Sequence, residues 1–214
     1  MKTVQQIYSK YKIMPNLQLH QLRVAAVAQI ICENFQESID TESIILACLF
    51  HDMGNIIKSD LNYFPKFLEP EGFEYWQDVK KEYIKRYGFE EHLATEFIAK
   101  EINLSSSALS CLKHIGFSNS IKNETNNSFE NKICNYSDMR VGPHGVLSME
   151  DRISEGHKRY EGRKHTITSD GFDAFVLALR NIEKQIFSKT HIKPEEITDD
   201  KIKDIMEELR TLTL

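Results

Sequence analysis

The chain has 214 residues, enough for one domain with a substantial core, and its composition (41% hydrophobic, 28% charged) excludes wholesale disorder. A net charge of −5 argues against a nucleic-acid partner for the whole surface. The longest apolar run, residues 44–50, is too short to span a membrane, and residues 1–16 lack the apolar stretch of a secretory signal. The four cysteines form no Cys-x-x-Cys pair, so we expect reduced core thiols and a cytoplasmic protein.

Apolar residues recur at helical spacing through most of the first half of the chain. They predict helices at residues 3–14 and 17–36, a third that Asp40 caps and that runs to about Lys58, and a fourth that ends before Gly88. The third helix carries the apolar run, so we expect it to be buried on nearly all sides. Two prolines and a glycine predict a loop at residues 60–72.

The second half of the chain continues the helical pattern. Helices are predicted at residues 90–102, from Ser105 or Ser106 to near Gly116, at 129–141 and from Ser148 to about Tyr160, with two amphipathic helices after them. The polar tract at residues 118–128 is predicted to be a surface loop. No alternating strand pattern, repeat or linker divides the chain. We therefore predict one all-α domain over 1–214, with a core at about 17–163 and supporting helices at about 168–211.

Several ionisable residues lie in strongly apolar surroundings. His51 and Asp52 close the most hydrophobic helix, where an isolated carboxylate would cost roughly several kcal/mol unless it were paired or bound to a metal. His20 lies on another apolar helix, and Asp138 lies on the predicted helix at 129–141, near the apolar residues Ile133 and Cys134. Imidazole nitrogen and carboxylate oxygen together suit Mn, Fe, Co, Ni or Zn. Each residue alone fits a hydrogen-bonded core side chain equally well, so the weight lies in the ordered set.

That ordered set resembles the signature of a known family. The order His20, His51-Asp52, Asp138 is similar to that of the HD superfamily of metal-dependent phosphohydrolases, and residues 50–54 (Phe-His-Asp-Met-Gly) match its central motif. Branches with two metals have two more histidines between that motif and the final aspartate, where His92 and His114 fall. The resemblance implies an all-α HD-type helical bundle.

The resemblance also implies a ligand set and a reaction. His20, His51, Asp52 and Asp138 would hold one metal, and Asp52 would bridge to a second metal held by the two extra histidines. The cofactor would be Mn, Fe, Co or Ni, with one or two ions per chain. A metal lowers the pKa of bound water toward about 7, so a metal-bound hydroxide beside Asp52 would attack the substrate.

Polar residues near these ligands are candidates for substrate contact. A lysine that contacts phosphate in the cyclic-dinucleotide branch is replaced here by Asn55, and the companion Gly-Tyr-Pro motif of that branch is absent, which argues against that substrate. Asn55 can still hydrogen-bond a substrate oxygen. The same reasoning predicts substrate contacts for the following residues, each of which also fits a solvated or salt-bridged position: Arg23, Asn55, Lys58, Arg140 and His144, with Arg159 and Arg163 as weaker candidates.

Aromatic residues are concentrated between Tyr63 and Phe89. This concentration fits either the packing of an inserted helix on the core or a wall over the metal site against which a nucleobase stacks.

Three functions stay open at this point. The first is hydrolysis of a phosphate ester or anhydride of a small molecule, and we expect this substrate to be a nucleotide. Neither a nucleic acid nor a membrane is expected as a partner. The second is a di-iron HD-fold oxygenase, which needs both extra histidines. The third is a non-enzymatic regulator that binds a metal or a nucleotide. The sequence leaves the substrate, the metal and the oligomeric state undetermined.

Overall fold

The computed structural model describes residues 1–63, 65–160 and 169–214. The side chains of residues 159, 160, 169 and 170 are not described. The predictions for Arg159 and Arg163, and the aromatic residue Phe64, therefore lie outside the described side chains. The described residues form α-helices and short 3₁₀ turns with no strand, which confirms the all-α class. The helices are α1 (Val4–Lys10), α2 (Pro15–Glu33), α3 (Thr41–Phe50), α4 (Phe73–Tyr87), α5 (Glu91–Glu101), α6 (Ser106–Leu112), α7 (Ser120–Thr125), α8 (Phe129–Asp138), α9 (Met149–Tyr160), α10 (Ser169–Phe187) and α11 (Asp199–Thr211).

Side-chain caps define several helix starts as the sequence predicted. The carboxylate of Asp40 accepts a hydrogen bond from the backbone N–H of Ser43 at 3.1 Å and begins α3. The hydroxyl of Ser105 accepts from the N–H of Ala108 at 3.2 Å and begins α6. Each of these bonds satisfies one of the N–H groups that lack a partner at a helix start.

The structure differs from the predicted elements at Pro15, at the end of α3 and in the tract at residues 118–128. Pro15 begins α2 instead of ending α1, because the first helical position needs no backbone N–H. Helix α3 ends at Phe50, and the chain turns at residues 51–54 before a 3₁₀ turn at Asn55–Ile57. Residues 118–128 are not a surface loop, because they contain α7, on which Ser120 and Asn123 are fully buried.

Helix α3 lies at the centre of the molecule. It packs against α2, α6 and α8, and Ile44, Ala47 and Leu49 have no exposed surface, which confirms its predicted burial. The hydroxyl of Tyr8 donates to the carbonyl of Leu49 at 2.7 Å, so one of the last carbonyls of α3 is satisfied inside the core. His51 and Asp52, which directly follow α3, therefore lie close to the centre of the molecule, among the helices that pack on α3.

The terminal helices close around this centre. Helix α11 packs on α1 and α2, and α10 packs on α7 and α8, so one hydrophobic cluster runs from Val4 to Leu209. All four cysteines are free and buried, as predicted. Within the described part of the chain, no helix is both long enough and apolar enough to cross a membrane.

Candidate metal centre

His51, the residue directly after α3, presents a buried nitrogen with no hydrogen-bond partner among the described residues. Its Nδ1 lies 2.8 Å from the carbonyl oxygen of Cys48. Because a carbonyl can only accept, Nδ1 carries the hydrogen, and Nε2 of the neutral ring keeps a lone pair. Nε2 is buried and lacks a partner among the described residues. A ring fixed through one nitrogen with the other left available is the arrangement of a metal-ligating histidine.

Three further side chains converge on that nitrogen. Nε2 of His51 lies 3.7 Å from Oδ2 of Asp52 and 3.4 Å from Oδ1 of Asp138. Nε2 of His20 lies 3.1 Å from the same Asp138 oxygen and 3.9 Å from Oδ2 of Asp52. One ligand atom from each of His20, His51 and Asp52 lies within 4.8 Å of the others. The four residues come from α2, the end of α3 and the end of α8, which pack together in the core.

The electrostatics of this cluster favour a cation. Burial raises the pKa of Asp138, but the neighbouring rings of His20 and His51 outweigh it and hold that pKa well below its usual range. Burial lowers the pKa of His51, and the charge of Asp52 together with Asp138 outweighs that effect and raises the pKa to about 9. The His51 ring therefore carries a proton at neutral pH, and this positive charge lies where a metal cation would bind. Two imidazoles and two carboxylates fit a divalent transition metal at that place.

Two polar residues fix Asp52, and neither role was predicted. The side-chain oxygen of Gln21, a fully buried residue of α2, accepts from the backbone N–H of Asp52 at 3.1 Å. The side-chain amide of Asn55 donates to Oδ2 of Asp52 at 2.9 Å. Asn55 lines the cavity, as a substrate contact would, but its amide already orients the carboxylate. No sequence pattern separates Gln21 from its polar neighbours Gln18, His20 and Arg23 on α2.

Helix α5 is held against the turn that follows His51 and Asp52. The backbone N–H of Gly54 donates to the hydroxyl of Thr95 at 2.9 Å, and that hydroxyl donates to the carbonyl of Glu91 at 2.9 Å. A Cβ atom at position 54 would collide with the Glu91 carbonyl and with Ala94. The close approach therefore explains the glycine of the central motif, and Thr95 is a second contact that the sequence did not reveal.

Comparison with known families agrees with this geometry. The model of the HD domain family matches residues 18–127, just over half of the chain. The chain belongs to the HD domain family. The resemblance predicted from the motif is thereby confirmed, and HD domains are typically metal-dependent hydrolases. No curated protein and no solved structure matches the chain. The family match ends before Asp138, so the place of Asp138 in the centre rests on the distances given above.

The two extra histidines of this HD-domain protein are not part of the ligand group around His51. The His92 side chain is 69% exposed on α5, and its Nε2 lies 3.5 Å from a carboxylate oxygen of Glu91. His114 follows α6, and its Nδ1 lies 2.8 Å from the side-chain oxygen of Asn123. Among the described residues, the ligand-forming group contains His20, His51 and Asp52 but neither of these two. A second metal held by His92 and His114 therefore stays a prediction.

Arg140 corrects a prediction, because its guanidinium is used inside the protein. The residue is 2% exposed. Its guanidinium donates to the hydroxyl of Tyr136 at 2.7 Å, to the carbonyl of Pro194 at 3.2 Å and to that of Ile197 at 3.3 Å, and also to the carbonyl of Leu147. With these protein acceptors engaged, Arg140 joins the chain after α8 to the segment before α11. We no longer expect it to contact substrate.

The other predicted substrate contacts divide into two groups. Arg23 lies 3.8 Å from a carboxylate oxygen of Asp199, and the His144 ring packs on Phe67 at 5.9 Å between centroids. Neither is among the described residues that line the cavity over the metal cluster. Lys58 does line it, 3.4 Å from a carboxylate oxygen of Glu91. Lys58 therefore stays a candidate, and the predictions for Arg23 and His144 lose their support.

A large cavity lies over the metal cluster. Its volume is about 1410 Å³, and His20, His51, Asp52 and Asp138 are among its lining residues. Aromatic rings border it in two places: Tyr63 and Phe67 before α4, and Phe117 and Phe172 from the segment after α6 and from α10. The concentration of aromatic residues in the sequence thus divides between core packing and lining of the cavity, and the stacking of a nucleobase stays a prediction. Trp76, for example, is 3% exposed and packs into the core, while the two residues before α4 face the cavity.

Proposed function

We propose that this HD-domain protein is a metal-dependent phosphohydrolase that cleaves a phosphate ester or anhydride of a small molecule, with a nucleotide as substrate. The observation that carries the proposal is the buried, unpartnered Nε2 of His51 beside Asp52, Asp138 and the ring of His20. A buried polar atom without a partner is costly, and a bound metal would remove that cost.

The side chains of the cluster have distinct parts in this proposal. A divalent metal, when bound, supplies a Lewis acid and a water that loses its proton near neutral pH. His20, His51, Asp52 and Asp138 would hold the metal. Asp52 would also orient the attacking water and accept its hydrogen bond, because Gln21 holds the backbone N–H of Asp52 and Asn55 holds its carboxylate.

The walls of the cavity support a nucleotide as the substrate. A volume of about 1410 Å³ accommodates a base, a sugar and a phosphate chain together. The rings of Phe117 and Phe172 lie 6.0 Å apart between centroids and offer an apolar surface for a base. Lys58 and Lys113 line the same cavity, each within 3.4 Å of a glutamate oxygen, and both can turn toward a phosphate group.

A phosphate-release screen tests this proposal. Metal-free protein is supplied with Mn²⁺ and a panel of nucleoside mono-, di- and triphosphates. Dinucleoside polyphosphates, whose cleavage yields two nucleotides and no free phosphate, are followed by chromatography of the products. We expect release from at least one compound, dependent on the metal and abolished in His51→Ala. His191→Ala is the matched control, because His191 is exposed and is not among the described residues that line the cavity. Oxygen consumption by iron-loaded protein with no phosphate release would overturn the proposal in favour of an oxygenase.

A further inference from the structure

Arg152, a residue of α9, lines the cavity over the metal cluster and lies deeper than the two lysines described there. Its side chain is 14% exposed, against 47% for Lys58 and 54% for Lys113. Water screens a charge less as the side chain leaves the solvent, so Arg152 acts more strongly on an anion in the cavity. The positive charge that the sequence assigned to Arg140 therefore has a counterpart in the cavity wall.

A short chain of contacts joins Arg152 to the metal cluster. Its Nε donates to the backbone carbonyl of Val141 at 3.1 Å. The backbone N–H of Val141 donates in turn to the carbonyl of Asp138, also at 3.1 Å. All three residues line the same cavity. The guanidinium is therefore held beside the turn that follows a predicted metal ligand.

The second described contact of the guanidinium is an acidic side chain on the same helix. Nη1 of Arg152 donates to Oε2 of Glu155 at 2.9 Å. The Glu155 side chain is 29% exposed, about twice as much as that of Arg152, and Glu155 is not among the described residues that line the cavity. The carboxylate thus approaches the guanidinium from the solvent side of the pair and has room to move away from it.

A glycine on α9 leaves space for the guanidinium. A Cβ atom at Gly156 would lie 3.2 Å from Nη1 of Arg152, closer than an ordinary van der Waals contact. Gly156 lies inside the helix, where glycine is less favourable than alanine, and it lines the cavity. Helix packing alone would favour alanine at this position, whereas the position of the guanidinium accounts for glycine.

A guanidinium pairs with carboxylate and with phosphate oxygens in the same forked geometry. Phosphate carries more negative charge than a single carboxylate, so it competes well for the same N–H donors. The bond from Nε to Val141 does not involve Glu155, so it persists when the carboxylate leaves. Arg152 is thus held in place by one partner while the other is open to exchange.

We propose that Arg152 binds a phosphate group of the substrate, and that this phosphate displaces the carboxylate of Glu155 from the guanidinium. The proposal rests on the proposed function, in that it takes the cavity to bind a phosphate compound. If the ion pair only stabilised α9, loss of either partner would act in the same direction. If phosphate displaces the carboxylate, loss of Arg152 weakens phosphate binding and loss of the Glu155 charge strengthens it.

Calorimetry with inorganic phosphate on Mn²⁺-loaded protein tests the proposal. Arg152→Met should weaken binding about 10- to 100-fold, the effect of losing a hydrogen bond to a charged group. Arg152→Lys should weaken it less, because the charge stays and the fork is lost. Glu155→Gln should strengthen binding about two- to fivefold, as expected for removing a partly exposed competing charge.

Arg180 and Glu150 provide the matched controls. They form an ion pair between α10 and α9, with bonds of 2.7 and 2.8 Å, and neither is among the described residues that line the cavity. Arg180→Met and Glu150→Gln should therefore leave the affinity for phosphate unchanged. An equal loss of affinity in these variants and in Arg152→Met would show a general effect of charge and overturn the inference.

Three further results would overturn the inference: no binding of phosphate to the unaltered protein, an unchanged affinity in Arg152→Met, or a weaker affinity in Glu155→Gln. If Arg152→Met does not fold, Arg152→Lys and Glu155→Gln still decide it. Binding of inorganic phosphate needs no turnover. The expected order of affinities without any nucleotide hydrolysis would therefore contradict the proposed function alone, whereas hydrolysis with an unchanged affinity in Arg152→Met would contradict this inference alone.

Discussion

The two sides of the cavity differ in how far the protein itself assembles them. On one side, His20, His51, Asp52 and Asp138 lie within contact distance of each other. On the other side, His92 is 69% exposed and His114 is engaged with Asn123. The first set comes from helices that share the central core, whereas the second comes from α5 and the segment after α6. Packing of the buried helices thus holds the first set of ligands together, while a side chain on an exposed helix face is not held in that way.

The largest effect should come from removing one of the four ligands on the side formed by His20, His51, Asp52 and Asp138, which we call the assembled side. Asp138→Ala should lower phosphate release more than about 100-fold, beyond the loss expected for a residue that only orients a ligand. It should also reduce the tightly bound metal to near zero, because His20 and His51 both lose their shared carboxylate. Activity assays and elemental analysis measure the two effects. Unchanged metal content in a folded Asp138→Ala protein would contradict the assignment.

Arg140 tests whether the loop after Asp138 owes its position to the fold or to substrate. Arg140→Met should cost about 3 kcal/mol in the free energy of unfolding, because it deprives several buried acceptors of a charged donor. The melting temperature should fall by roughly 6–12 °C. Thermal unfolding measures the loss, and KM per folded molecule should change little. A large rise in KM with unchanged stability would restore the prediction that Arg140 binds substrate.

His92→Ala sharpens the comparison on the other side. We expect a loss of activity of about tenfold, the lower end of what an orienting contact contributes, with the first metal retained. The reason is that the exposed His92 ring is not among the ligand atoms already gathered around His51. Calorimetry should show a weaker second equivalent of Mn²⁺ and an unchanged first one. Loss of the first metal in His92→Ala would contradict this prediction, because it would show that binding of the first metal depends on His92.

The pH dependence of metal binding separates the two sides further. His51 has a pKa of about 9 without metal, so its ring must release a proton before it binds a cation. The affinity for the first Mn²⁺ should therefore rise about tenfold per pH unit between about pH 7 and 9 and then level off. In the metal-free protein the sign is opposite: the stabilisation from protonated His51 is complete below its unfolded pKa and is lost as the pH rises through about 9. A flat affinity between pH 7 and 9 would contradict this cause.

The sequence predicted the assembled side better than the rest of the molecule. The burial pattern of α3 pointed to His51 and Asp52, because a buried ionisable pair needs a compensating partner. The resemblance to the HD superfamily joined His20 and Asp138 to them. Local patterns could not show that Ser120 and Asn123 are buried, since their partners Asn135 and His114 come from other elements. Polar composition alone therefore predicted a surface loop there.

Arg140 failed for a related reason. Its position just after a metal ligand favoured a role with substrate phosphate. Its acceptors at Pro194 and Ile197 lie 54 and 57 residues further along the chain, so no local pattern reveals them. Gln21 and Thr95 share this property, because each contacts the central motif from another helix. Side chains that support a site through tertiary contacts leave little trace in a single sequence.

The most direct test of the account is the metal content of the purified protein after loading with Mn²⁺ and desalting, compared between the unaltered chain and His51→Ala. We predict at least one tightly held ion per chain in the unaltered protein and none in the variant, with His191→Ala retaining the ion. Equal metal content in the unaltered chain and His51→Ala, or none in either, would contradict the claim that the cluster around His51 is a metal centre.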